Sequence, residues 1–481
     1  MLSGRRGIGL VGAVGVALAL AGGPAGATAL ADHRPAAEPS AQPRSVTPAS
    51  SNSSDPSELV AHDGEVWFLA YTPSTGEAIW SSDGSTSGLK LPVYGNLQNT
   101  GALMWAGNHL FFVSENTADS RQELWVADGT GTDTPMSFDV TGPTGYFSDG
   151  FFAAGSRIYF NVCDASHGCE PWVSDGSGPG THLLKDIYPG PGNSDAYEFV
   201  ALGSGVVFAA TDPTHGRELW ISDNAGTRLV RDILPGPSSA YPFTLVSVGD
   251  RVVFSADDDI HGAEPWVTDG TKAGTRLLKD IAHGTSGSSP LGGGNALFKG
   301  KLYFIANDGV HGQELWRTNG TAAGTQLGVD VWHGARSSDP YQLIATSTAL
   351  FFTAQDASHG DELWRTNGTA SGTGLARDLT PGVGSTEIGL YPQEAATLGG
   401  ELVFAAVVGN HGAELWTSKG TPSSTRILKE IGPGSQSADV NWVTQVGHQI
   451  FFEADDGTNG DELWVTDGTG PATYMVKDLY P

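Results

Sequence analysis

Carboxylates and imidazoles recur in this 481-residue chain at one place in a repeated phrase. One copy reads His261-Gly-Ala-Glu-Pro-Trp-Val-Thr-Asp-Gly-Thr271. A histidine precedes a glycine at His167, His215, His261, His311, His359 and His411. Five of the six follow an aspartate by three residues, at Asp164, Asp212, Asp258, Asp308 and Asp356. These histidines are the candidates for a ligand-binding rim. One per repeat cannot converge on a tetrahedral zinc site, which needs four ligands together. Two acidic runs add Asp257-Asp258-Asp259 and Asp455-Asp456-Gly-Thr-Asn459-Gly-Asp461. Hard cations want several oxygen ligands, so Asp257, Asp258, Asp259, Asp455, Asp456 and Asp461 are the candidate Ca²⁺ ligands, although neither run has EF-hand spacing. The competing reading is local: an aspartate at a loop start accepts hydrogen bonds from the amides that follow it. No G-x-S-x-G, H-E-x-x-H, P-loop or C-x-x-C run occurs, so no catalytic residue is nominated. Carboxylate glycosidases carry no short signature, which keeps hydrolysis open.

The compartment follows from the first residues. Arg5-Arg6, an uncharged run from Gly7 to Gly23 and small-residue sites up to Ala31 make residues 1–31 a secretory signal peptide. The arginine pair leaves both general and twin-arginine export open. Residues 32–57 are rich in Pro, Ala and Ser and predict a disordered spacer, leaving 58–481 as the folded part. Cys163 and Cys169 are the only cysteines; they flank one short loop, and in an exported chain they predict a disulfide. The formal charge is −28. Such a surface repels phosphate, so nucleic acid and anionic membranes are excluded as partners. No later run is long enough to insert into a membrane. The partners left are an extracellular glycan or protein, with Ca²⁺ as a possible cofactor.

What positions the candidate residues is the repeat itself. Its tryptophans are Trp80, Trp125, Trp172, Trp220, Trp266, Trp316, Trp364, Trp416 and Trp464. A period of this length marks an array in which no unit buries its own apolar face. Before each tryptophan runs a short β-rich segment, and a phenylalanine sits in every one, from Phe68 in the first unit to Phe452 in the last. In the unit after Tyr241 the pattern predicts strands at 244–248, 251–257, 263–268 and 275–281, with Asp269-Gly270 supplying a tight turn. Four antiparallel strands per unit predict an all-β chain, a single β-propeller of nine blades, or eight plus a degenerate first unit. Alternating strand direction would place the histidine loops and the fourth-strand ends on one rim. The tryptophans are expected to pack between blades. The glutamates two residues before them (Glu123, Glu170, Glu218, Glu264, Glu314, Glu362, Glu414 and Glu462) are expected to accept hydrogen bonds from backbone or indole N–H. Pro171 and Pro265 predict a bulge or an unpaired position in their strands.

Glu123-Leu-Trp-Val-Ala-Asp-Gly-Thr130 and Glu462-Leu-Trp-Val-Thr-Asp-Gly-Thr469 resemble the repeat of the bacterial ELWxxDGT-repeat proteins. The other units match it with substitutions, such as Pro for Leu before Trp172 and Trp266. The resemblance covers essentially all of 58–481. It implies a secreted propeller and no particular activity. Three functions follow as expectations: a binding module for a glycan, peptide or partner protein; a secreted carbohydrate-active or other hydrolase with its site at the channel mouth; or a structural cell-surface component.

Overall fold

The computed structural model describes residues 53–85, 100–115, 121–129, 136–138, 145–148, 150–391 and 393–481. Residues 1–31, expected to be a signal peptide, and most of the expected spacer at 32–57 lie outside the described residues. The chain is a nine-bladed β-propeller. Each blade is an antiparallel sheet whose strands follow one another in sequence; the described part of the first blade comprises three strands. In the fifth blade the strands are Phe243–Val248, Arg251–Asp257, Ala263–Thr268 and Arg276–Leu277. Among the described residues no helix is long and apolar enough to cross a membrane.

The second and third strands of every blade are apolar on both faces, and the structure gives each face a neighbour. Phe254 stands opposite Trp266 in the strand register, and both pack on Val207, Leu219 and Ile221 of the fourth blade. Val253 and Val267, on the other face, pack on Leu302 and Phe304 of the sixth. Every interface repeats this scheme, and the repeat phenylalanine is fully buried in all nine blades. Burying one such side chain contributes roughly 1.5–3 kcal/mol, a gain that exists only when the next blade is present. The last interface joins the ninth blade to the first: Phe451, Leu463 and Val465 pack on Phe68, Ala78 and Trp80. That contact closes the ring without a borrowed strand.

Closure also recruits residues that composition assigns to the spacer. Ser53 and Ser54 are fully buried, the Ser54 and Asp55 amides donate to the Asp461 carbonyl, and Tyr71 N donates to Ser54 O. The first strand opens at Ser57. The propeller therefore begins ahead of residue 58, because the ninth blade needs an entering segment to satisfy its backbone.

The fourth strand of the fifth blade has two residues where the sequence predicts seven. Blades with leucine before the tryptophan have four to six residues there, and Pro265 removes the rest. In the fourth blade Leu219 holds this position and pairs with Arg231 through a bulge. Proline has no N–H to offer there, so pairing stops at Trp266↔Leu277. Pro171 does the same in the third blade, whose fourth strand is His182–Leu183. The expected bulge is absent: both prolines keep their second-strand partners, Ser255 and Asn161, in unbroken register, their carbonyls still accept from Leu278 N and Leu184 N, and only the fourth-strand ladder partner is missing.

Candidate functional site

The histidine loops form a repeated structure on one rim. Asp258 ends the second strand's exit, and its Oδ1 accepts from the amides of Ile260 and His261 at 3.1 and 2.9 Å. The loop thereby turns the His261 ring back, and Nδ1 meets Asp258 Oδ2 at 2.9 Å. The same pairs form between His167 and Asp164, His215 and Asp212, His311 and Asp308, and His359 and Asp356, at 2.7–2.9 Å. The fourth-strand end arrives at the same place, with His359 Nε2 4.0 Å from Asp378 Oδ2. The shared rim is thus real in these five adjacent blades, and the histidines are about one third exposed there. His411 differs. Its blade has Val408 where the others have aspartate, and its Nδ1 lies 3.4 Å from Glu430 Oε1.

Electrostatics follow the pairing. The hydrogen bond to aspartate raises the His167, His215, His261 and His311 pKa values above the usual imidazole range, against a smaller opposing effect of burial. Burial alone would push the partner carboxyls up. Their bonds to the histidine and to loop amides outweigh it, so Asp164, Asp212, Asp258 and Asp308 stay below the usual carboxylate range.

The candidate calcium ligands are engaged locally. Asp257 Oδ1 accepts from Asp259 N, and Asp455 Oδ1 accepts from Gly457 N. Asp456 accepts from Thr458 N, Asn459 N and Asn459 Nδ2. Asp461 lies opposite Asp455 in the strand register and takes part in ring closure. Among the described residues no three His, Cys, Asp or Glu side chains gather closely enough to hold a metal ion. Cys163 and Cys169 are a directly opposed cross-strand pair and are joined in a disulfide.

The repeat glutamates are clasps between blades. Glu264 accepts from Ile281 N and Ala282 N at the exit of its own blade and from Ser288 Oγ at the entry to the next. Glu314 and Glu362 repeat the pattern. Glu462 makes it across the ring closure, accepting from Leu479 N and Ser54 Oγ. Their partners are backbone amides and hydroxyls, not indoles; among the described residues only Trp464 finds a carbonyl for its indole N–H, Ala454 O at 3.1 Å. Burial holds Glu218 and Glu414 up to about 7 and Glu462 up to about 8.

One acidic group is peculiar to the closure. Glu453 sits on the second strand of the ninth blade, where the other blades carry apolar, hydroxyl or amide residues. Burial raises its pKa, and Asp461, Asp55 and Asp439 around it raise it further. Asp461 is pushed up to about 6 by burial and then by Asp455, Asp55 and Asp439. The sequence marks Glu453 only as a break in the repeat, and nothing in its spacing announces the partners.

No protein-family model matches the chain, and no curated protein matches it. Among solved structures it is similar to a puromycin hydrolase at 14% identity, over 77% of this chain and 61% of that one, with a TM-score of 0.37. A prolyl endopeptidase aligns at 12% identity over 76% of this chain and 49% of its own, with a TM-score of 0.39. The β-propeller domain of the Trilobed protease from Pyrococcus furiosus aligns at 9% over 78% and 93%, with a TM-score of 0.34. The chain spans about half to three fifths of the first two proteins. No activity is carried over from them.

Proposed function

We propose that this chain is an extracellular binding module, a multivalent propeller that engages a glycan or another repeating surface polymer through its histidine rim. The observation that supports it is repetition at the surface: the third to seventh blades each present a partly exposed Asp–His pair in which the aspartate also accepts from the histidine's own amide. Several equivalent weak sites on one rigid ring bind a repeating ligand with avidity beyond that of any single site. Imidazole and carboxylate edges are suited to hydroxyl groups. The signal peptide and the disulfide support an oxidising, extracellular setting. A glycan and cell-wall binding screen with the mature chain tests the reading. Binding should fall stepwise as His215, His261 and His311 are changed to alanine one after another. Release of reducing sugar during the screen would favour a hydrolase instead, and capture only by a protein partner would replace the polymer.

A further inference from the structure

The geometry points to a second binding site on the opposite rim, between the third and fourth blades, for a small polyhydroxylated carboxylate of which a uronic acid is the simplest form. It arises where the repeat is broken. From the repeat tryptophan to the threonine that closes the next turn is nine residues in the third blade and in the fifth to ninth blades, as from Trp266 to Thr275; from Trp220 to Thr227 it is seven. In the third blade and in the fifth to ninth blades the corresponding glycine of the turn lies against the preceding blade. A Cβ on Gly270 would strike Ile221, one on Gly176 would meet His109 and Val126, and one on Gly468 would meet Leu398. The fourth blade has Asn224 and Ala225 in a tighter turn, and the crevice that this glycine fills in other blades stays open.

The result is a cavity of about 220 Å³, bounded by Arg157, Tyr159 and Val173 of the third blade and by Ser222, Asn224 and Thr227 of the fourth. At ~30 Å³ per water that is room for about seven waters, smaller than the 300–1,000 Å³ typical of drug-sized sites and suited to one sugar ring. Arg157 supplies the charge. In the fifth blade the matching Arg251 donates to Gly320 O of the following turn at 3.0 Å. The shortened turn offers Arg157 no such carbonyl, and it makes no hydrogen bond among the described residues. Asp175, whose carboxyl feels the Arg157 charge, is held by Ser177 in its own turn. The acid on the cavity wall, Asp223, is neutralised by Arg228 at 2.7 and 2.8 Å. A free guanidinium matches a carboxylate through two parallel bonds. The Asn224 amide suits ring hydroxyls, the Ser222 and Thr227 hydroxyls are bonded to each other at 3.0 Å and keep acceptor capacity for one, and Tyr159 and Val173 give an apolar wall.

Titration of the full mature chain with D-galacturonate and D-glucuronate, beside glucose and acetate, tests the site. Saturable uronate binding is expected, at least tenfold tighter than glucose or acetate. It should weaken at least tenfold in Arg157→Gln and vanish when residues 223–227 are replaced by the seven-residue turn 269–275. Absence of saturable uronate binding overturns the site, as does binding that survives Arg157→Gln. Glucose binding as tightly as uronate overturns the carboxylate. Arg157 is exposed, so Arg157→Gln decides the matter even if the turn graft does not fold. Alanine at His215, His261 and His311 should leave uronate binding unchanged, which separates this site from the rim.

Discussion

Replacing His261 with asparagine separates the shape of a rim loop from its charge. The ninth blade already uses Asn459 against Asp456 in the same geometry, so the loop should persist. The raised His261 pKa means that the charged pair stabilises the fold fully below the unfolded imidazole pKa of about 6.5 and loses that contribution as pH rises through the folded value. His261→Asn should therefore lower the melting temperature at pH 5, by the equivalent of roughly 0.5 kcal/mol for a partly exposed pair, and leave it unchanged at pH 9. Equal losses at both pH values would mean that packing, not charge, holds the loop. Glu264 carries more. Glu264→Ala strands two amides and a hydroxyl in a buried interface, and about 3 kcal/mol of unfolding free energy should be lost in urea titration. The histidine positions were legible in the sequence because their spacing repeats. Their role as the aspartate's partner was legible only in part, because the spacing of three residues suits a loop cap while the return of the ring to the same carboxylate is set by how the folded loop closes.

At the scale of the strand and turn, the disulfide and the prolines make the third blade unlike its neighbours. The bridge closes a seven-residue loop already ordered by a cross-strand pair. Replacing both Cys163 and Cys169 with serine should cost about 2–3 kcal/mol at most by the chain-entropy account, and urea unfolding of the double variant measures it. The second and third strands were readable to the residue in the fifth blade, since alternation and the Asp-Gly turn fix both ends. The fourth strand was not. Its length is set by the third strand's ability to donate one N–H, and a proline at 265 removes that donor without disturbing the hydrophobic pattern.

For the whole ring, pH acts on many groups in one direction. Glu218, Glu414, Glu462 and Asp461 have folded pKa values above their ordinary ones. Each favours the folded state most when protonated, and the penalty grows as pH rises from the unfolded carboxyl pKa to the folded value. The rim histidines lose their contribution over the upper part of the same range. Melting temperature should accordingly peak near pH 5 and fall by several degrees towards pH 8, in a differential scanning series at constant ionic strength. Below about pH 4 the depressed rim aspartates reverse the trend. Glu453→Gln removes the acid most crowded by others at the ring closure, so it should raise the melting temperature at pH 8 and change nothing at pH 4. A variant no more stable than the parent at pH 8 would show that the closure tolerates the charge.

The sequence by itself determined the repeat, its β character and the rim on which the histidines fall, because a period of strands apolar on both faces has few ways to hide them; that the degenerate first unit is a ninth blade of the ring was decided by the tertiary structure. Tertiary structure alone decided how the ring closes and where its equivalence fails. Ser54 reaches Glu462 across 408 positions, and no local pattern can encode a contact whose two halves lie at opposite ends of the chain. The same holds for the cavity beside Arg157, which exists because a neighbouring blade's turn is short.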